Sequence, residues 1–124
     1  MTKDRPYTRT ELGALGEQVA ADHLTARGMR ILQRNWRCRY GELDLIAEDV
    51  DSTVVFIEVK TRTGEAFGGL AEAVSPQKVR RLRRLAGLWL IQQSRSWTSV
   101  RIDVIGVRVG LRKTPQVNHL QGVG

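Results

Sequence analysis

The stretch GELDLIAEDVDSTVVFIEVKTR, Gly41 to Arg62, holds two apolar runs that alternate as strands do, broken by acids at Asp44 and Glu58 and followed by Lys60. Strands are expected over about Glu42 to Glu48 and Thr53 to Thr61, because Val, Ile and Phe suit pleated, buried positions. The polar DVDS between them is short enough for an antiparallel hairpin. Side chains alternate along a strand, so Glu58 and Lys60 share a face with Phe56, while Val55, Ile57 and Val59 take the other. A turn centred on Asp51 places Asp44 opposite Glu58, with Cβ atoms about 4.5 to 5.5 Å apart, and opposed like charges destabilise a sheet. That register requires something positive between the acids.

In one reading Lys60 supplies part of that charge as a simple ion pair. In the other the acids hold Mg²⁺ or Mn²⁺, hard cations that take carboxylate, carbonyl and water oxygens. Asp44, Glu58 and the backbone carbonyl of Val59 are then the expected ligands. A cation there eases deprotonation of an attacking water, which Lys60 would orient or, if its own pKa were lowered, relieve of its proton. Hydrolysis of a phosphodiester then needs alignment and charge neutralisation.

Working outward, Thr8 and Glu11 have the spacing of a capping box, so a helix is expected from there to about Arg27, with Gly28 as its stop. Steps of ~100° put Leu12, Leu15, Val19 and Ala20 on its apolar face and Glu11, Gln18 and Asp22 away from it. Glu17 falls at the margin near Ala20 and Leu24, as an ordinary surface acid or as part of a site. Met29 to Trp36 reads as a strand, and Arg37 to Gly41 as a turn. TGEAFGGLAEAV, residues 63–74, is glycine-rich and aperiodic and reads as a loop. Ser75 and Pro76 then open a second helix reaching about Gln93, with Val79, Leu82, Leu85, Ala86 and Trp89 inward and Arg80, Arg81 and Arg84 outward. SVRIDVIGVRV, residues 99–109, is a last strong strand, and a short one is expected near Val117 to Leu120. The order predicts an α/β fold with a mixed central sheet flanked by helices, the second helix serving as a crossover.

At 124 residues and 41% hydrophobic, the chain suits a single domain, with 1–8 and 110–124 expected to be flexible or peripheral. Twenty Lys and Arg against thirteen Asp and Glu give a net charge of +7, which favours a polyanionic partner. The nucleic-acid candidates are Lys78, Arg80, Arg81 and Arg84, together with Arg37, Arg39 and Tyr40 at the mouth of the first site strand. The same arginine run also suits a merely solvated face. Trp36, Trp89 and Trp97 read as packing residues. His23 and His119 stand alone without ligand spacing, which argues against zinc. Cys38 has no local partner to activate it and, as the sole cysteine, excludes an internal disulfide. The N-terminal segment has no apolar stretch suited to a signal peptide, and no run approaches the ~20 residues of a membrane span. A cytoplasmic protein without a membrane partner is expected.

Taken together, LGALGEQVAADHL, GELDLIA, VFIEVKTR, FGGLAEAV and RIDVIGV resemble the bacterial YraN-like family over roughly Leu12 to Val109. The pattern Asp44, Glu58-x-Lys60 is similar to the D...E-x-K motif of the restriction endonuclease-like superfamily. The resemblance implies the αβββαβ core of that superfamily, related to archaeal Holliday-junction resolvases. It implies that Asp44 and Glu58 bind metal, that Lys60 is the catalytic lysine, and that Glu17 is the first-helix glutamate completing the site. Gln77 corresponds loosely to a second-helix glutamine of RecB-like nucleases. The expected function is a metal-dependent endonuclease hydrolysing phosphodiester bonds of DNA, branched or structured DNA included. The alternative is a non-catalytic nucleic-acid-binding module on the same fold. DNA is the expected partner, and a homodimer is admitted.

Overall fold

The structure is a computed structural model that describes residues 7–63, 70–110 and 114–124. Helix α1 (Arg9–Ala26) opens on the expected capping box: Thr8 Oγ1 accepts the Glu11 N–H at 3.0 Å, and Glu11 Oε1 accepts the Thr8 N–H at 2.9 Å. Strands β1 (Arg30–Cys38), β2 (Gly41–Glu48) and β3 (Val54–Thr63) follow, then a 3-10 turn (Ala71–Val74), helix α2 (Pro76–Ile91), β4 (Val100–Val109) and β5 (Gln116–Leu120). Ser75 Oγ caps α2 by accepting the Lys78 N–H at 3.3 Å.

The sheet order is β1-β2-β3-β4-β5, with β3 and β4 parallel and every other pair antiparallel. Helix α2 is the crossover that parallel pairing requires. This is the expected α/β fold, an αβββαβ core with a mixed sheet flanked by helices, extended at one edge by β5. Strand β1 runs past Trp36 to Cys38, so the turn narrows to Arg39 and Tyr40. An irregularity between Ile31 and Gln33 and a positive φ of 53° at Asn35 accompany the longer strand. Of the stretch read as a glycine-rich loop, 64–69 lie outside the described residues, and Ala71–Val74 are 3-10.

Helices cover both faces of the sheet. On one, Ala20, Ala21 and Leu24 of α1 pack on Leu45, Val55 and Ile57. On the other, Leu82, Leu85, Ala86 and Trp89 of α2 pack on Ile46, Val54 and Phe56. Strand β3 is therefore buried on both sides, which is why its start reads as a continuous apolar run. The inward face of α2 is the one its periodicity predicts. That of α1 is shifted, since Gly16, Ala20, Ala21 and Leu24 are buried while Leu12, Leu15 and Val19 are only partly so. Backbone proximity is the reason: a Cβ at Gly16 would lie 1.9 Å from Thr61 Oγ1, so small residues set the line of closest approach.

The two histidines are not isolated. His23 Nε2 is 3.1 Å from His119 Nδ1, and His119 Nε2 is 2.8 Å from Oδ2 of the fully buried Asp103. Positions 96 apart in sequence meet because α1 crosses the face on which β4 and β5 present these side chains. Arg101 and the Gly122 N–H complete the shell of Asp103 at 2.9 to 3.1 Å. Burial alone would raise the Asp103 carboxyl, but the bonds from His119, Arg101 and Gly122 hold it below the usual range. Trp36 and Trp89 are buried as expected, and Trp97 lies beneath the Arg95 guanidinium, 3.5 Å from the ring centre. No helix among the described residues is long and apolar enough to cross a membrane.

Candidate functional site

The hairpin takes the register its alternation predicts. Leu45 pairs with Ile57, Ile46 with Phe56, Ala47 with Val55 and Glu48 with Val54, which centres the turn on Asp51. The same register brings Asp44 to Glu58, but the ladder ends one pair earlier. There the Asp44 carboxylate itself accepts the Val59 backbone N–H, at 2.7 Å from Oδ2.

Glu58 is buried, and cations flank both of its oxygens. Arg81 Nη2 donates to Oε1 at 2.9 Å, and Lys60 Nζ stands 3.2 Å from Oε2. The Lys60 contact is an ion pair without hydrogen-bond alignment, so Oε2 is a buried oxygen that makes no hydrogen bond. Such an oxygen forgoes the bonds it would have in water.

Asp44 carries the opposite imbalance. Burial pushes its carboxyl up to about 6 against the Val59 bond, and the charges of Glu17, Glu58 and Glu42 push the same way. A carboxylate raised by burial and by three other acids is one that a cation would relieve. The fit is to a hard cation that keeps most of its waters and takes one or two carboxylates. Among the described residues no three Asp, Glu, His or Cys side chains form a ready metal cage. Asp44, Glu58 and the Val59 carbonyl are accordingly the groups that could hold the ion, with Glu17, half-buried on α1, acting on Asp44 through its charge.

Around these acids the basic residues separate into two kinds. Arg80 and Arg84 are exposed on α2, and Lys78 is half-buried at its start beside exposed Gln77. Arg84 lies over the Tyr40 ring, 4.0 Å from its centre, with Arg39 at 5.2 Å, and Tyr40 remains 44% exposed. Arg37 stands 3.3 Å from Glu42 at the edge of this patch. Arg81 is the departure: it belongs to the outward run by periodicity yet bonds the site acid. Leu85, four positions on and buried, was the available signal, since residues so spaced share one side of a helix.

The chain is an α/β domain in which two acids, Asp44 and Glu58, lie beside Lys60 and Arg81 at the end of the β2–β3 hairpin. The chain belongs to the uncharacterised protein family UPF0102, whose model matches residues 16–107. It is 66% identical to a UPF0102 protein of Mycobacterium avium (strain 104), covering 100% of this chain and 98% of that one. It is 67% identical to a relative in Mycolicibacterium smegmatis over 94% of this chain and 95% of that one. Among solved structures, a repair endonuclease from Pyrococcus abyssi aligns with a TM-score of 0.40 at 17% identity, over 86% of this chain and 39% of that one. Pyrococcus furiosus SfsA in complex with Ca²⁺ aligns with a TM-score of 0.35 at 15% identity, over 90% of this chain and 62% of that one.

Proposed function

We propose that the protein is a divalent-cation-dependent nuclease acting on DNA, with Asp44, Glu58 and the Val59 carbonyl as ligands of Mg²⁺ or Mn²⁺. The observation that carries this reading is the buried, unbonded Oε2 of Glu58, next to an Asp44 whose carboxyl is raised to about 6. When bound, the cation would supply charge neutralisation and a more acidic water. Asp44 is held in place by the Val59 N–H. Lys60, 28% exposed and 3.2 Å from Glu58, would orient the attacking water through its ammonium group. Glu17 strengthens the negative field from the α1 side. Lys78, Arg80 and Arg84 on α2, with Arg37, Arg39 and Tyr40 at the β1–β2 turn, would contact the phosphate backbone, and the Tyr40 ring would stack on an unpaired base of structured or branched DNA. The reading places this work in the cytoplasm.

A non-catalytic nucleic-acid-binding module is favoured by one observation, that Arg81 and Lys60 already stand against the two oxygens of Glu58. Cleavage separates the two. Purified protein, millimolar Mn²⁺ and end-labelled duplex, flap and four-way-junction DNA should give products that disappear in Asp44→Asn, Glu58→Gln and Lys60→Ala. Binding to all three substrates without any cleavage would leave the module.

A further inference from the structure

Arg81 does two things that compete. Its guanidinium holds Oε1 of Glu58 at 2.9 Å, while 43% of its side chain remains exposed on the basic face of α2. Arg84, three positions on and therefore on the same side of the helix, is the residue stacked on Tyr40. The approach of Arg81 to Glu58 runs beside Gly41, where a Cβ would lie 3.7 Å from Nη1 and 3.4 Å from Leu85. A guanidinium so placed neutralises the carboxylate whose unbonded Oε2 a hard cation would take, and it is also the group a phosphate binds best, through paired N–H donors. Phosphate and Glu58 are thus rivals for Arg81, as Arg81 and a cation are rivals for Glu58.

We propose that Arg81 couples nucleic-acid binding to cation binding: in the free protein it neutralises Glu58 and weakens uptake of a divalent cation, and a backbone phosphate arriving on α2 takes the guanidinium and restores the full charge of the carboxylate. This rests on the reading of Asp44 and Glu58 as a cation site. It makes Arg81 more than one phosphate contact among several, and it arms the acids most fully when nucleic acid is present. Linkage makes the effect reciprocal, so each ligand tightens the other by the same factor.

The test is Mn²⁺ affinity, read from the free-ion signal in electron paramagnetic resonance as Mn²⁺ is titrated into wild type, Arg81→Gln, Arg83→Gln and Glu58→Gln without nucleic acid. Arg81→Gln should bind about five-fold or more tightly than wild type, the lower end of ordinary coupling between sites. Arg83→Gln, which removes the same charge from the same helix away from Glu58, should match wild type, and Glu58→Gln should bind weakly. The titration is repeated with a short phosphorothioate DNA duplex, subtracting the Mn²⁺ that the duplex holds alone. Wild type should then gain affinity and Arg81→Gln should gain little. If Glu58→Gln binds as tightly as wild type, or wild type takes up no Mn²⁺, the cation site falls and the coupling with it. If Glu58→Gln is weakened but Arg81→Gln equals wild type, or Arg83→Gln tightens binding equally, the site stands and the coupling is overturned. Should Arg81→Gln fail to fold, wild type alone decides, because an affinity unchanged by the duplex overturns the coupling.

Discussion

The Asp44 carboxylate accepts the backbone N–H of Val59 at 2.7 Å, and the β2–β3 ladder ends one pair short of Asp44. A side chain thus satisfies the strand where the ladder stops. The acid is fixed in position by a bond that its neutral form can also accept.

That last point makes Asp44 a pH-dependent liability. Its folded-state pKa of about 6 lies above the ordinary value of 3.8, so the fold prefers the protonated form. Stability is fullest below pH ~4, declines through the interval up to ~6 and stays lower above it, by about 2 to 3 kcal/mol at 1.36 kcal/mol per unit. Asp44→Asn should therefore stabilise the metal-free protein in urea at pH 7.5 and make little difference at pH 4. Equal denaturation midpoints for the two proteins at pH 7.5 would contradict the imbalance.

Relief of the same charge by a cation should appear as thermal stabilisation. Millimolar Mn²⁺ or Mg²⁺ should raise the melting temperature of the wild type by mass action, with a gain of about 2.7 kcal/mol when the ion stands at a hundred times its dissociation constant. Asp44→Ala should melt at one temperature with and without metal. Melting of the wild type unaltered by either ion counts against the site.

The exposed arginines predict a salt dependence. Each phosphate neutralised contributes about −0.9 to the slope of log K against log salt, so Arg80→Gln with Arg84→Gln should flatten it by about 1.8 for duplex DNA. Tyr40→Ala should leave the slope nearly unchanged but cost about 1 to 3 kcal/mol on single strands, the worth of a stacked base. A slope unaffected by the double substitution would show that the run is only a solvated face.

Helix α1 offers a steric test. Gly16→Ala would push a methyl group to 1.9 Å from Thr61 Oγ1, and overpacking of this kind costs about 1 to 3 kcal/mol. Thr61→Ala in the same protein should restore part of the loss, since it removes the nearest atom. Additive effects in urea unfolding, with no restoration, would mean that helix and strand do not meet at these two residues.

The Asp103 cluster predicts both a cost and a pH sign. Asp103→Ala leaves Arg101 with its Asp49 partner but takes the acceptor from the Gly122 N–H and from His119, and should cost about 1 to 3 kcal/mol, with faster amide exchange in β5. Burial foremost, then the charges of His119 and Arg27, lowers the His23 pKa, so its contribution is present above pH ~6.5 and fades as pH falls. His23→Gln should flatten wild-type stability between pH 7 and 5. An identical pH profile in the variant would rule His23 out as its source.

Much of this site could be read from residue order. Alternation around DVDS determined the hairpin register, because a one-residue slip would have reversed every buried side chain of β2 or β3. The inward face of α2 followed in the same way from Val79, Leu82, Leu85, Ala86 and Trp89. Other features depended on approach distances that no periodicity carries. The inward line of α1 is set by how closely Gly16 meets Thr61, and Arg81 reaches Glu58 because a long side chain at the margin of a helix can bend back over it. The meeting of His23 with His119 depends on where α1 crosses the sheet, which neither histidine's neighbours reveal.

Strand β1 closes one edge of the sheet with Arg30, Arg34 and Arg37 exposed along it and an irregularity near its start. An edge with open backbone groups invites another strand, and lysine, arginine and bulges are the usual deterrents. A further strand docking along β1 would have to pass these charged side chains. The same arginines that add to the positive charge of the chain therefore also discourage strand pairing along this margin.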